Sequence, residues 1–229
     1  CLFKQLITMI NSLLLRRTSL TLLWLGLIGY AFFLAPPDNP DTLSLIINLS
    51  TGQWQGINSY IIGLFNVMGI WPMIYAALLL VDGRGQNLRA YPFVIGSFFL
   101  GAFALLPYLI FRRPNPPFTG PLDWPLKLWE SKILAVLLTL GAIACGVVAI
   151  SGGDWAGFVA QWQTSRFLAV MSADFLCLCL LFGTVLGDDL ARRGIENPKF
   201  WMILAFMPLA GPLIYLLCRP SLPQDPLGS

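Results

Sequence analysis

Long apolar runs separated by short polar breaks dominate this chain. Six of them, at about 18–35, 57–80, 92–111, 132–150, 166–186 and 200–218, have the length and apolar character of a membrane-crossing helix. Three other stretches mix apolar and polar residues. Residues 2–17 carry Lys4, Gln5, Asn11 and Arg16-Arg17 among aliphatics. Residues 42–56 are too short and too polar to cross. Residues 151–163 place Trp155, Phe158 and Trp162 at intervals of three to four. These predict segments lying at the membrane surface, where aromatic side chains settle at headgroup level. The expected fold class is all-α: a polytopic membrane helical bundle of about six transmembrane helices with interfacial amphipathic helices.

The breaks also divide the chain. Residues 1–17 form the interfacial helix, 18–114 a first three-span unit, 115–131 a proline-rich linker, 132–220 a second three-span unit and 221–229 a tail. Each unit reads span, aromatic surface segment, span, acidic loop, span, Arg-Pro. Asp82 and Asp188 are 106 residues apart, and so are Arg113 and Arg219. This predicts a 3+3 internal repeat. Units with an odd number of crossings would be inverted relative to one another, a plan used by many transporters. Lys and Arg then divide seven against seven between the two faces, which leaves the orientation open.

Composition agrees with a membrane protein. Of 229 residues, 57% are hydrophobic and 11% charged, and the mean hydropathy is +0.74. Soluble domains carry about 25% charged residues. A net charge of +3, scattered along the chain, gives no nucleic-acid footprint. The five cysteines form no CxxC pair, and most lie in apolar runs, where a thiol acts as a small hydrophobe. The chain has no histidine. That removes histidine-ligated haem or chlorophyll, HExxH zinc chemistry and Ser-His-Asp catalysis. Cys1 in place of methionine predicts a truncated start or a removed targeting peptide.

Ionisable groups inside spans are costly and have reasons to be there. Asp174 lies about eight residues into the fifth run, roughly 12 Å of helix. With inverted repeats, Asn66, Ser172 and Asp174 would meet near the midplane, as an ion, proton or ligand site or as a helix-to-helix bond. Pro72, Pro107 and Pro212 lie inside spans, where proline frees a backbone carbonyl and kinks the helix. Gly183 with Gly187, and Ala142 with Gly146, give small-xxx-small pairs suited to close helix packing. The stretch GDDLARRGIENPK resembles in part the metal motif of CDP-alcohol phosphotransferases. Its aspartates are adjacent, though, and a later pair is missing, so a solvated loop is the preferred reading.

The segment from Arg166 to Pro220, SRFLAVMSADFLCLCLLFGTVLGDDLARRG followed by GPLIYLLCRP, resembles a family of small bacterial and cyanobacterial integral membrane proteins of no agreed activity. The shared pattern is an Arg-initiated span with a buried Asp, a basic loop and a span stopped by Arg. The resemblance covers about a quarter of the chain and carries over Asp174. It implies a bacterial inner membrane, or a thylakoid membrane with a plastid among the alternatives.

Two functions follow as expectations. One is a non-catalytic accessory or assembly subunit of a larger membrane complex, with a photosynthetic complex among the alternatives, touching membrane lipids and other integral subunits. Its contacts would be to lipid, chlorophyll or carotenoid, with Asn66, Glu130 and Asp174 as the candidate ligands in place of histidine. The other is a small inverted-repeat transporter or channel with Asp174 at its centre.

Overall fold

A computed structural model describes residues 2–113, 122–195 and 197–223, with side chains from residue 11 onward. The proline-rich stretch 114–121, Glu196, Cys1 and the tail from 224 lie outside the described residues. All regular structure among the described residues is helical. The helices are α1 (Leu2–Gly29, continued by a π-helical turn, Tyr30–Leu34), α2 (Thr42–Thr51), α3 (Ser59–Asp82), α4 (Tyr91–Phe111), α5 (Trp124–Glu130), α6 (Lys132–Ser151), α7 (Trp155–Thr164), α8 (Arg166–Arg192), α9 (Pro198–Leu204) and α10 (Ala210–Cys218). Helix α1 is continuous, so the surface helix expected at 2–17 and the first span are one element.

Five helices are long and apolar enough to cross a membrane: α1, α3, α4, α6 and α8. Helices α3 and α8 form the centre, with 67% and 50% of their apolar windows buried, against 11% for α1 and 17% for α6. They meet through Trp71, Tyr75 and Phe182, whose rings lie 5.8 to 6.4 Å apart. The Tyr75 hydroxyl donates to the Leu178 carbonyl at 2.6 Å.

Helix α4 does not run straight. Gly101 has φ 49° and ψ −127°, and the chain reverses there. A Cβ built on Gly96 would lie 3.2 Å from the Cβ of Ala104. Eight residues of straight helix would separate them by about 12 Å. Phe93 packs against Tyr108 with tilted rings whose centroids are 5.7 Å apart. At the base, the Gln86 side chain donates to the Arg113 carbonyl and accepts from the Arg113 amide, both at 2.7 Å. These nested pairs define a helical hairpin with both feet at the C-terminal end of α3.

The last apolar run behaves in the same way. It breaks into α9 and α10 around Leu209, at φ 60°. Trp201 meets Tyr215 edge to face with centroids 5.4 Å apart, and a Cβ on Gly211 would collide with the Leu204 carbonyl. The run at 200–218 is therefore a second hairpin and not a sixth crossing. Pro212 sits inside α10 and Pro107 inside the returning arm of α4, while Pro72 is buried in α3.

Both halves accordingly run in the same order: long helix, short surface helix, long helix, hairpin. Both hairpins plant their feet at the same end of the bundle, so the halves are parallel. Inversion required three crossings per unit, and the third element here turns back. The four long helices α1, α3, α6 and α8 carry the chain from end to end.

Candidate functional site

Two places concentrate polar groups. The first is an ionic layer at the end where both hairpins stand. Asp82, at the C-terminus of α3, accepts from the Tyr108 hydroxyl at 2.8 Å, from Arg112 at 2.7 Å and from Arg192 at 2.9 Å. Asp189, near the C-terminus of α8, accepts from the Tyr215 hydroxyl at 2.6 Å and from Arg193 at 2.8 Å, with Arg219 3.8 Å away. The spacing is common: Asp82, Tyr108 and Arg112 each precede Asp189, Tyr215 and Arg219 by 107 residues. The structure thus corrects the register by one, because the Arg112-Arg113 and Asp188-Asp189 doublets each offer two alignments. Arg16 donates to the Leu109 carbonyl and Lys132 to that of Leu216, again matched contacts.

Arg192 joins the two constellations, reaching Asp82 and, at 3.2 Å, Asp189. Arg112 also pairs with Asp188. Glu130 pairs with Arg193 at 2.8 Å and Arg219 at 3.0 Å. Burial disfavours the charge on Arg193, but the facing Asp189 and Glu130 carboxylates more than offset this, and its pKa is raised. On Arg219 burial prevails and the pKa is lowered. Four carboxylates here face four guanidinium groups, and every one of the eight side chains is engaged in at least one ion pair. Glu130 thus stands in the ionic layer as an ion-pair partner of Arg193 and Arg219. Asp188 and Asp189 are held by arginines at the end of α8, and Asp189 is buried, so the stretch is not the solvated loop expected.

The second place is a cavity of about 550 Å³ toward the opposite end, lined by the π-helical turn, α3, the tip of the α4 hairpin and the start of α8. Asp174 lies at its inner wall. Its Oδ1 accepts from the Ala102 amide at 2.7 Å, where the returning arm of the hairpin begins. A carboxylate here satisfies a helix N-terminus that would otherwise present bare amides to hydrocarbon. Any side chain at Gly101 would collide with that carboxylate. Asn66 and Ser172 do not join Asp174. Each bonds its own helix, Asn66 to the Ile62 carbonyl and Ser172 to that of Leu168, both at 2.8 Å.

Of the expected packing residues, Ala142 is buried and Gly183 comes near Met202. Gly146 and Gly187 have open space where a Cβ would go. The close approach is at Gly63 instead. A Cβ there would stand 2.7 Å from that of Ala149 and 3.1 Å from the Cys145 carbonyl, so α6 packs tightly along α3. At the shared spacing of 107, Gly63 corresponds to Val170, which lines the cavity. Asp174 corresponds to Val67, and Arg166 to Ser59. The cavity lies where the second half departs from the first. The outer helix closes onto the inner one across Gly63, whereas around Val170 a gap remains.

Arg166 stands at the cavity mouth. Its Nε donates to the Pro36 carbonyl at 3.0 Å. Among the described residues its terminal nitrogens have no acceptor. Sequence reading singled out Asp174 from its depth but took Arg166 only as the start of a span. No protein-family model, no curated protein and no solved structure matches this chain.

Proposed function

We propose that this chain is a non-catalytic integral membrane accessory protein that holds an amphiphile in the cavity behind the α4 hairpin, as part of a larger membrane assembly. The observation carrying this reading is that the cavity occupies the place where the two otherwise matching halves differ, and that its special residues, Arg166, Val170 and Asp174, occur in one half alone. Its volume falls within the range of about 300–1,000 Å³ common to small-molecule sites. Phe32, Phe98 and Phe99 at its edge are exposed to the surroundings of the bundle, so an acyl chain can enter sideways from the bilayer. Lipid is favoured over pigment because Asn66 and Glu130 lie away from this wall and the Asp174 carboxylate is already engaged by the Ala102 amide. The transporter reading is weaker, because the ionic layer closes the other end of the bundle.

We read the matched contacts as a duplicated unit of two crossings and one hairpin. Purification in mild detergent with lipid analysis tests the function. The wild type should retain stoichiometric lipid, and Val170→Trp, which fills the cavity, should lose most of it. Equal lipid in both would defeat the proposal.

A further inference from the structure

We infer that the amphiphile is a phospholipid with a zwitterionic headgroup, its phosphate on Arg166 and its ammonium on Asp38. This rests on the cavity reading above. Both residues line the mouth of the same cavity, yet they form no ion pair with each other. Arg166 is held in place through Nε, leaving its terminal donors to face a ligand. Paired guanidinium nitrogens match the oxygens of a phosphate. Asp38 accepts at Oδ1 from the Asn39 amide at 3.0 Å and the Thr42 hydroxyl at 3.1 Å, which fixes the carboxylate. Its Oδ2 accepts from no described residue and is open to an ammonium group.

The position of Arg166 sharpens the point. The chain has 14 Lys and Arg residues. Arg16, Arg17, Arg84, Arg89, Arg112, Arg113, Lys127, Lys132, Arg192, Arg193, Lys199 and Arg219 all belong to the half of the bundle that contains the ionic layer. Arg166 alone among the described basic residues stands at the opposite end. Below the two charges the walls turn apolar, with Phe167, Val170 and Met171 from α8 and Phe65 and Met68 from α3. A charged pair at the rim over an apolar chamber with a lateral aromatic opening is the complement of a headgroup over an acyl chain.

The test is native mass spectrometry of the full chain in non-ionic detergent, titrated with palmitoyl lysophosphatidylethanolamine, palmitoyl lysophosphatidylglycerol or monopalmitoylglycerol. The ethanolamine lipid should bind about tenfold tighter than the uncharged glyceride, the scale of one charge-assisted hydrogen-bonded contact. Arg166→Gln should erase that difference, while Arg166→Lys, which keeps the charge, should retain most of it. Asp38→Asn should weaken the ethanolamine lipid and leave the phosphoglycerol lipid unchanged. Equal binding of lysophospholipid and glyceride, both blocked by Val170→Trp, would overturn the headgroup assignment and leave the cavity reading standing. Tighter binding of the phosphoglycerol lipid to the wild type would overturn the role of Asp38. No saturable binding of any of the three would overturn the headgroup assignment and the cavity reading together.

Discussion

Asp174 illustrates how a charged residue in an apolar helix can serve backbone chemistry. Its carboxylate takes the place of the hydrogen-bond acceptor that a hairpin tip cannot find in lipid. The residue therefore has to accept hydrogen bonds, and it does not have to be an acid. Asp174→Asn keeps an acceptor in the same place and should cost about 1 kcal/mol, whereas Asp174→Leu leaves the amide bare and should cost about 2–3 kcal/mol. Thermal unfolding of the purified variants in detergent measures both. Equal losses would indicate that the charge itself matters. Depth along the run made Asp174 conspicuous in the sequence. Its partner was not legible, because the Ala102 amide is 72 residues away and hydrogen-bonds through backbone, which leaves no side-chain signature. Arg166 was missed for a related reason: a basic residue at a span boundary is ordinary until the other basic residues are seen at the opposite end.

At the scale of elements, hydropathy identified where the chain enters apolar surroundings but not where it turns back. Residues 92–111 have the length and composition of a crossing, and their reversal depends on one glycine at φ 49°. The second hairpin left a clearer trace in the close grouping of Pro208, Gly211 and Pro212. The shared arginine endings were legible, though the counterpart of Arg219 is Arg112 and not the Arg113 of the Arg-Pro pair. They suggested spans because a stop signal looks alike after a crossing and after a return. A direct check is cross-linking. In a cysteine-free background, Gly96→Cys with Ala104→Cys should form an intramolecular disulfide under mild oxidation, since the built Cβ separation of 3.2 Å needs only slight relaxation to reach the usual 3.5–4.5 Å. In a straight helix the same pair would be about 12 Å apart and stay reduced. Failure to cross-link in folded protein would restore a continuous third span.

For the whole molecule, counting each hairpin as a return changes the charge balance. With six crossings the basic residues tie at seven on each face. With four crossings and two hairpins, twelve of the described basic residues collect at the ionic end and Arg166 alone lies opposite. Short loops rich in Lys and Arg stay on the cytoplasmic side or its equivalent. The ionic layer should therefore face the cytoplasm or stroma, and the cavity mouth the other compartment. Two positions separate the topologies. Asn39 follows one crossing, and Lys127 lies between the first hairpin and α6. With hairpins they are on opposite sides of the membrane; with six spans they are on the same side. Each would be replaced singly by cysteine in a cysteine-free background and exposed to an impermeant maleimide in intact cells. Asn39→Cys should label at once, and Lys127→Cys only after permeabilisation. Labelling of both from outside would return the chain to six crossings. The reverse pattern would keep the hairpins and invert the molecule, so that the cavity would face the cytoplasm, with its lipid drawn from the inner leaflet.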